Sequence, residues 1–148
     1  HGHEFIFREW EVKSSGNPYT HAIMRGLQNK HGEMVQNYHY EDLKLLQSLY
    51  EERNLANPAV VVDTNHCNSG KQHREQLRIA QEIMHSRKYS QELANFVKGL
   101  MVESYLIEGA CKVEEHIFGK SITDPCIGWE DTVRLISNVY EYEQQTKY

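Results

Sequence analysis

The segment NPAVVVD at residues 57–63 constrains the fold more than any other part of the sequence. It is a short continuous apolar run, rich in β-branched residues, and it includes a proline near its start. Such a run is typical of a strand buried on both faces, as in parallel sheets that helices cover. A polar turn follows it, and then the helical apolar pattern of residues 71–86. The segment therefore predicts one strand–loop–helix unit of an α/β protein.

The same order of elements recurs along the chain. Further strands are predicted at 4–10, 20–25 and 99–103, helices at 40–54 and 129–142, and a short helical turn at 91–96. Residues 27–39 and 104–128 are predicted to be mostly loop, and Ser69 is the expected N-cap of the helix at 71–86. Strands joined by helices run parallel, so the fold class is α/β with parallel βα units in a single domain.

Apolar residues at helical spacing give each long helix a stripe on one side. The stripes are Leu43, Leu46, Leu49 and Tyr50 in the first helix, Leu77, Ala80, Ile83 and Met84 in the second, and Trp129, Val133, Ile136, Val139 and Tyr140 in the last. We interpret the aromatic residues Trp10, Tyr38, Tyr40 and Trp129 as core residues rather than as stacking platforms for a ligand.

Charge and composition argue against two classes of partner. The net charge of −5 argues against a nucleic-acid binder that relies on a basic surface. No apolar run approaches the roughly 20 residues that a membrane-spanning helix needs. The three cysteines Cys67, Cys111 and Cys126 are widely spaced and odd in number, which is a poor disulfide framework. We therefore expect a cytoplasmic protein without nucleic-acid or membrane partners.

Chemically active side chains stand where the predicted strands end. Arg25 ends the strand at 20–25, His66 follows the strand at 57–63, Glu103 ends the strand at 99–103, and Asp124 lies in the last loop before a helix. Because the carboxyl ends of parallel strands meet at one edge of a sheet, we expect these residues to lie together. One imidazole and two carboxylates suit Mn²⁺, Fe²⁺ or Zn²⁺. Arg25 beside them would bind a phosphate or carboxylate of a small molecule.

Each of these residues also has a purely structural interpretation. His66 could cap the loop, Asp124 could belong to an Asp-Pro turn, and Arg25 could neutralise Glu103 in a structural salt bridge. Asp63 is interpreted as a group that tethers the loop, and Lys71 as a weak phosphate ligand. Cys67 is more often a small buried filler than a thiolate ligand.

Four stretches of the sequence resemble type I 3-deoxy-7-phosphoheptulonate (DAHP) synthases. They are SSGNPYTHAIMRG, DTNHCNSGKQ, GLMVESYLIEG and GKSITDPCIGWEDT, in the order in which that family has them. The resemblance implies an enzyme, a transferase that condenses phosphoenolpyruvate with erythrose 4-phosphate and releases phosphate. This reaction is the first step of the shikimate pathway to aromatic amino acids. The family fold is a (β/α)₈ barrel of about 250 residues, so residues 1–148 resemble its C-terminal half alone.

The resemblance also implies a site. The family's metal-binding histidine, glutamate and aspartate fall on His66, Glu103 and Asp124, and the metal would be divalent Mn, Fe, Zn or Co. The arginine that grips the phosphoenolpyruvate phosphate falls on Arg25, and His66 is also expected to be catalytic by assisting proton transfer. The family's fourth ligand, a cysteine, and its Lys-Pro-Arg-Thr segment for erythrose 4-phosphate belong to the N-terminal half, and no such segment occurs here.

Partner expectations follow from a half-barrel of four strands. Its two open sheet edges favour association, so we expect the chain to pair with the missing N-terminal half or with a second copy of itself, as an oligomer. The first alternative is therefore an enzyme fragment that is inactive alone, and the second is a dimer that closes one barrel and is active. A third alternative, from another class, is a non-catalytic regulatory or binding partner of a full-length synthase.

Overall fold

The fold is built around a small parallel sheet, and the computed structural model describes residues 2–146, without the side chain of residue 146. The strands are β1 (Glu4–Phe7), β2 (Trp10–Lys13), β3 (Ala22–Met24), β4 (Leu27–Gln28), β5 (Met34–Val35), β6 (Val60–Asp63), β7 (Val97–Met101), β8 (Ile107–Ala110) and β9 (Lys120–Ser121). The helices are α1 (Tyr40–Glu52), α2 (His66–Ser69), α3 (Glu75–Tyr89), α4 (Gln91–Phe96) and α5 (Trp129–Thr146), with a 3₁₀ turn at Val113–Glu115.

The central sheet confirms the α/β prediction. Its strand order is β3–β6–β7, and both pairs are parallel. Helix α1 connects β3 to β6, and helices α2 to α4 connect β6 to β7. One face of β6 is fully buried, with Val60 and Val62 packed against α1, α3 and α4, whereas Val61 on the other face is half-buried. Each such side chain contributes about 1.5–3 kcal/mol to folding, so β6 is the centre of the core.

Residues 64–74 connect β6 to α3 through a short helical turn that the sequence analysis did not predict. Residues 66–69 close one helical turn of their own, α2, which Gly70 ends in the left-handed conformation at φ +61°. Helix α3 therefore begins only at Glu75, and Ser69 is not its N-cap, contrary to the prediction. The Ser69 hydroxyl donates instead to Oδ1 of Asn65, at 2.7 Å.

Each of the two predicted loops contains a pair of short strands, antiparallel in the first and parallel in the second. Strands β4 and β5 form a hairpin inside residues 27–39, and β8 and β9 pair inside residues 104–128. The predicted strand at 4–10 ends at Phe7, because Arg8 and Glu9 have φ values of +47° and +70° and turn the chain into the β1–β2 hairpin, whose second strand begins at Trp10. Strands of two residues carry too little periodicity to be recognised in the sequence.

The central sheet has three parallel strands in the described residues, not the four expected of a half-barrel. Strand β9 pairs with β8 instead of extending this sheet, and Asp124 lies in the loop after β9. Strand β7 begins and ends two residues earlier than predicted, so that Glu103 lies just past its end. None of the helices within residues 2–146 is long and apolar enough to cross a membrane.

Helix α5 presents an apolar surface to solvent. Leu135 is buried and Val139 is half-buried against α3, but Trp129, Val133, Ile136 and Tyr140 are 46–64% exposed. We call these four residues the outer α5 face. The interpretation of Trp129 as a core residue is wrong for this chain, and so are those of Trp10 and Tyr40, whereas Tyr38 is buried. A contiguous exposed apolar surface of this kind typically marks an interaction site.

Candidate metal centre

The three predicted ligands lie together at the carboxyl end of the central sheet. Candidate ligand atoms of His66, Glu103 and Asp124 all lie within 4.8 Å of one another. Nε2 of His66 is 3.4 Å from Oε1 of Glu103 and 3.8 Å from Oδ2 of Asp124. Strands β6 and β7 are parallel and end as a pair, Asp63 beside Met101, which brings the loops after them side by side. The topology thus assembles residues that are far apart in the sequence.

A buried carboxylate orients the imidazole. Oδ2 of Asp63 lies 2.7 Å from Nδ1 of His66, and Oδ1 accepts a hydrogen bond of 2.8 Å from the Asn65 backbone N–H. Asp63 is only 1% exposed. Because an ionised carboxylate accepts, Nδ1 carries the ring proton and the Nε2 lone pair faces Glu103 and Asp124. His66 has a φ of +44°, a sparsely populated conformation that this network holds in place.

Asn68, which the sequence analysis missed, ties the loop to two strand ends. Its Nδ2 donates to the carbonyl oxygens of Met24, at 3.1 Å, and Asp63, at 2.8 Å, while its Oδ1 accepts from the Asn37 backbone N–H at 2.9 Å. The side chain is fully enclosed. The loop after β6 is therefore fixed relative to β3. A polar residue inside a single helical turn carries no recognisable sequence signal for this role.

Two cationic side chains flank the cluster without neutralising Glu103. Nε of Arg25 is 4.0 Å from Oδ2 of Asp63, and Nζ of Lys71 is 3.8 Å from Oδ1 of Asp124. Among residues 2–146, no lysine or arginine nitrogen lies within 4.0 Å of the Glu103 carboxylate. The alternative in which Arg25 neutralises Glu103 is therefore not what the structure shows. More than half of the Arg25 side chain is exposed, so it is accessible to a ligand.

Cys126 is a thiol neighbour of the cluster. Its Sγ is 3.8 Å from Oε2 of Glu103 and 3.4 Å from the backbone oxygen of Asp124, within donor range of both. Burial raises the pKa of the Cys126 thiol, so the group is a neutral donor rather than a thiolate. Cys67, on the other side of the loop, packs next to Gly26. This packing agrees with the interpretation of Cys67 as a small filler.

The donor set fits a divalent cation. It offers one imidazole nitrogen and carboxylate oxygens from two residues, which is chemistry suited to Mn²⁺, Fe²⁺ or Zn²⁺. The three side chains are partly buried, so that an ion would be shielded yet reachable. The carboxylates of Asp63, Glu103 and Asp124 outnumber the cationic groups of Arg25 and Lys71. Partly buried carboxylates without enough counter-charge are stabilised by a bound metal.

The fold places this protein in a class: α/β proteins with parallel strands, which carry their functional groups on the loops after the strands. The His–Glu–Asp cluster lies at that position. Within this class, the chain belongs to the DAHP synthetase I family, which matches residues 4–137.

Relatives agree with this assignment. The chain is 41% identical over 131 residues to the Trp-sensitive phospho-2-dehydro-3-deoxyheptonate aldolase of Shigella flexneri, and 38% identical over 130 residues to that of Escherichia coli K12. Each alignment covers 86% of this chain and 34% of the relative. A solved structure of the phospho-2-dehydro-3-deoxyheptonate aldolase of Francisella tularensis aligns with a TM-score of 0.84 at 25% identity, over 100% of this chain and 42% of that one. The chain therefore spans about one third of the curated relatives it matches.

Proposed function

We propose that residues 1–148 form the C-terminal half-barrel of a metal-dependent DAHP synthase. This part would contribute to the condensation of phosphoenolpyruvate with erythrose 4-phosphate, which gives 3-deoxy-7-phosphoheptulonate and phosphate. One observation carries the proposal: the ligand atoms of His66, Glu103 and Asp124 lie within 4.8 Å of one another. Membership of the family supplies the reaction, because the cluster alone would suit many metal-assisted reactions.

His66, Glu103 and Asp124 would hold the metal, with Asp63 orienting His66. A bound divalent cation would act as a Lewis acid on the aldehyde of erythrose 4-phosphate. Arg25, exposed next to Asp63, would hold the phosphate of phosphoenolpyruvate through charge-assisted hydrogen bonds. His66 would also assist proton transfer; because its Nε2 would be on the metal, only the Nδ1–H that contacts Asp63 is left for that role.

The proposed partner is the rest of a barrel, supplied by the missing N-terminal half or by a second copy of this chain. Strands β3 and β7 are the outer strands of the described central sheet, and the outer α5 face is exposed beside it. An open sheet edge and an exposed apolar face both favour association. The alternative of a non-catalytic regulatory or binding partner makes the opposite prediction about metal, because such a protein would need no functional cluster.

Metal binding by the full chain tests this function. We expect Mn²⁺ titration with detection of free Mn²⁺ by electron paramagnetic resonance to show one site, which His66→Ala abolishes. His73→Ala is a matched control, because His73 is buried to a similar extent and contacts Glu108 instead of the cluster. Equal Mn²⁺ affinity of wild type and His66→Ala would contradict the proposed metal centre.

Consumption of phosphoenolpyruvate in the presence of erythrose 4-phosphate and Mn²⁺ then distinguishes the remaining alternatives. Turnover that His66→Ala abolishes would mean that the chain, paired with itself, is active. Mn²⁺ binding without turnover would mean that the other half of the barrel is chemically necessary.

A further inference from the structure

Gln76, in the first turn of α3, makes a paired contact with the backbone of Glu103. Its Oε1 accepts a hydrogen bond from the Glu103 N–H at 2.8 Å, and its Nε2 donates to the Glu103 carbonyl oxygen at 3.0 Å. The side chain is 0% exposed. A long polar side chain is rarely enclosed completely unless its polar atoms are hydrogen-bonded. Both polar atoms of Gln76 have partners: Nε2 donates to Glu103, and Oε1 accepts from Glu103 and from the hydroxyl of Thr64, at 3.2 Å.

This contact replaces strand pairing at the point where the sheet ends. Strand β7 ends at Met101, whose carbonyl oxygen accepts the last hydrogen bond of the ladder, from the Thr64 N–H. Glu103 lies two residues further on and has no partner strand on that side. The Gln76 carboxamide supplies the acceptor that a neighbouring strand would otherwise supply for the Glu103 N–H, and it adds a donor for the Glu103 carbonyl oxygen. The same carbonyl oxygen also accepts from the Ile127 N–H at 3.0 Å, so that only the Glu103 N–H is bound by Gln76 alone.

The carboxylate of Glu103 has little to fix it apart from its own backbone. Its nearest polar neighbours are Nε2 of His66, at 3.4 Å, and the thiol of Cys126, at 3.8 Å. By contrast, His66 is oriented directly through Asp63. The direction in which the Glu103 side chain leaves the backbone therefore decides where its oxygens lie relative to His66 and Asp124.

We propose that Gln76 is a positioning residue of the metal centre: it clamps the peptide unit of Glu103 and thereby aims the Glu103 carboxylate at the ion. The inference rests on the proposed metal centre and extends it from the ligands to a residue on a helix behind them. Groups that orient metal ligands typically change metal affinity about 10–100-fold when they are removed. A carboxamide is suited to the task because it donates and accepts in one plane, as a peptide does.

The test compares two buried positions on the same helix. Gln76→Met keeps the volume of the side chain but removes both hydrogen bonds to Glu103, and we expect the Mn²⁺ affinity of the full chain to fall about tenfold or more. Ile79→Ala creates a cavity one turn away, at a residue that is also 0% exposed and that packs in the apolar core with Val60 and Val62. It should lower the melting temperature by circular dichroism but change Mn²⁺ affinity less than about twofold.

The outcomes separate this proposal from the metal centre itself. Wild-type Mn²⁺ affinity in folded Gln76→Met would overturn the positioning role and leave the metal centre intact. A wild-type chain that binds no Mn²⁺ would overturn both.

A second measurement needs no variant, in case Gln76→Met does not fold. In ¹⁵N-labelled wild type titrated with Zn²⁺, the side-chain amide signals of Gln76 should shift as the site fills, while those of exposed Gln81 on the same helix should not. Unchanged Gln76 signals at saturation would overturn the proposal.

Discussion

Asp63 illustrates how much of the candidate site depends on a residue that is not itself a ligand. Its two carboxylate oxygens are divided between the His66 ring and the Asn65 backbone. The position of His66 after a buried strand made the histidine a candidate ligand. The sequence also marked Asp63 as a tether, but it could not show that the tether determines which ring nitrogen faces Glu103 and Asp124, because that depends on the left-handed turn at His66.

Asp63→Asn should weaken Mn²⁺ binding about 10–100-fold while the fold is retained. The amide has the same size, but it lacks the charge that keeps the proton on Nδ1 of His66. Isothermal titration with Mn²⁺ measures the effect. Asp42→Asn, in the first turn of α1 and away from the cluster, is the matched control and should bind Mn²⁺ as the wild type does. Equal affinities for all three proteins would contradict the role of Asp63.

Glu108 should make the stability of the chain depend on acidic pH. Hydrogen bonds from Arg74 and then from His73 lower the pKa of Glu108 from 4.5 to about 2. A carboxylate with a lowered pKa stabilises the folded state above its unfolded pKa, and this contribution is lost as pH falls from about 4.5 towards 2. Urea unfolding between these pH values should therefore show a flatter dependence in Glu108→Gln. The difference should be modest, because the group is partly exposed. Identical slopes would show that these contacts add nothing to stability.

At the scale of elements, the buried strands and the long helices were predictable, whereas the short strands and the exact helix starts were not. Helices α1, α3 and α5 have apolar residues at helical spacing over several turns, so the local sequence pattern is enough to recognise them as helices. The β4–β5 hairpin and α2 depend on contacts such as that between Asn68 and the Met24 carbonyl oxygen. No local pattern reports such a contact, because its two partners are 44 residues apart.

Two glycines near the site allow the cost of backbone strain to be measured apart from the cost of a steric clash. Gly26 and Gly70 have similar φ values, +68° and +61°, but a Cβ at Gly26 would lie 2.7 Å from the Val35 oxygen and 2.8 Å from Cβ of Cys67. A Cβ at Gly70 would meet nothing within 4 Å. We expect Gly70→Ala to cost about 1–2 kcal/mol in the free energy of unfolding, and Gly26→Ala to cost about 1–3 kcal/mol more. Denaturant unfolding measures both, and equal losses would contradict the close packing at Gly26.

At the scale of the whole molecule, the surface of the described residues includes an uncovered apolar face on α5. The last helix was predicted, but its predicted apolar stripe was wrong for most of its members: Val139 packs against α3, whereas Trp129, Val133, Ile136 and Tyr140 are exposed. Leu135, which lies outside that stripe, is buried against α3 instead. A sequence pattern indicates that one face of a helix is apolar, but it does not indicate which element or molecule covers that face.

Ile136→Glu should weaken the association of the chain while leaving the stability of the folded monomer within about 0.5 kcal/mol. Ile136 is 59% exposed, so a charge there is solvated in the monomer but buried in any complex that uses the outer α5 face. Sedimentation velocity across a concentration series should show a larger monomer fraction for Ile136→Glu than for wild type. Ser137→Glu adds the same charge at the adjacent exposed position and should sediment as wild type does. A monomeric wild type would contradict self-association through this face.

The spread of the His–Glu–Asp cluster along the chain has a consequence for the order of events during synthesis. His66 leaves the ribosome first, and Glu103 and Asp124 follow much later. The imidazole is oriented from within its own loop by Asp63, whereas both carboxylates come from later segments of the chain. A cation would be bound tightly, however, only after the last of the three candidate ligands, Asp124, has been synthesised. Loading would therefore come late in the life of the nascent chain, after the central sheet has formed.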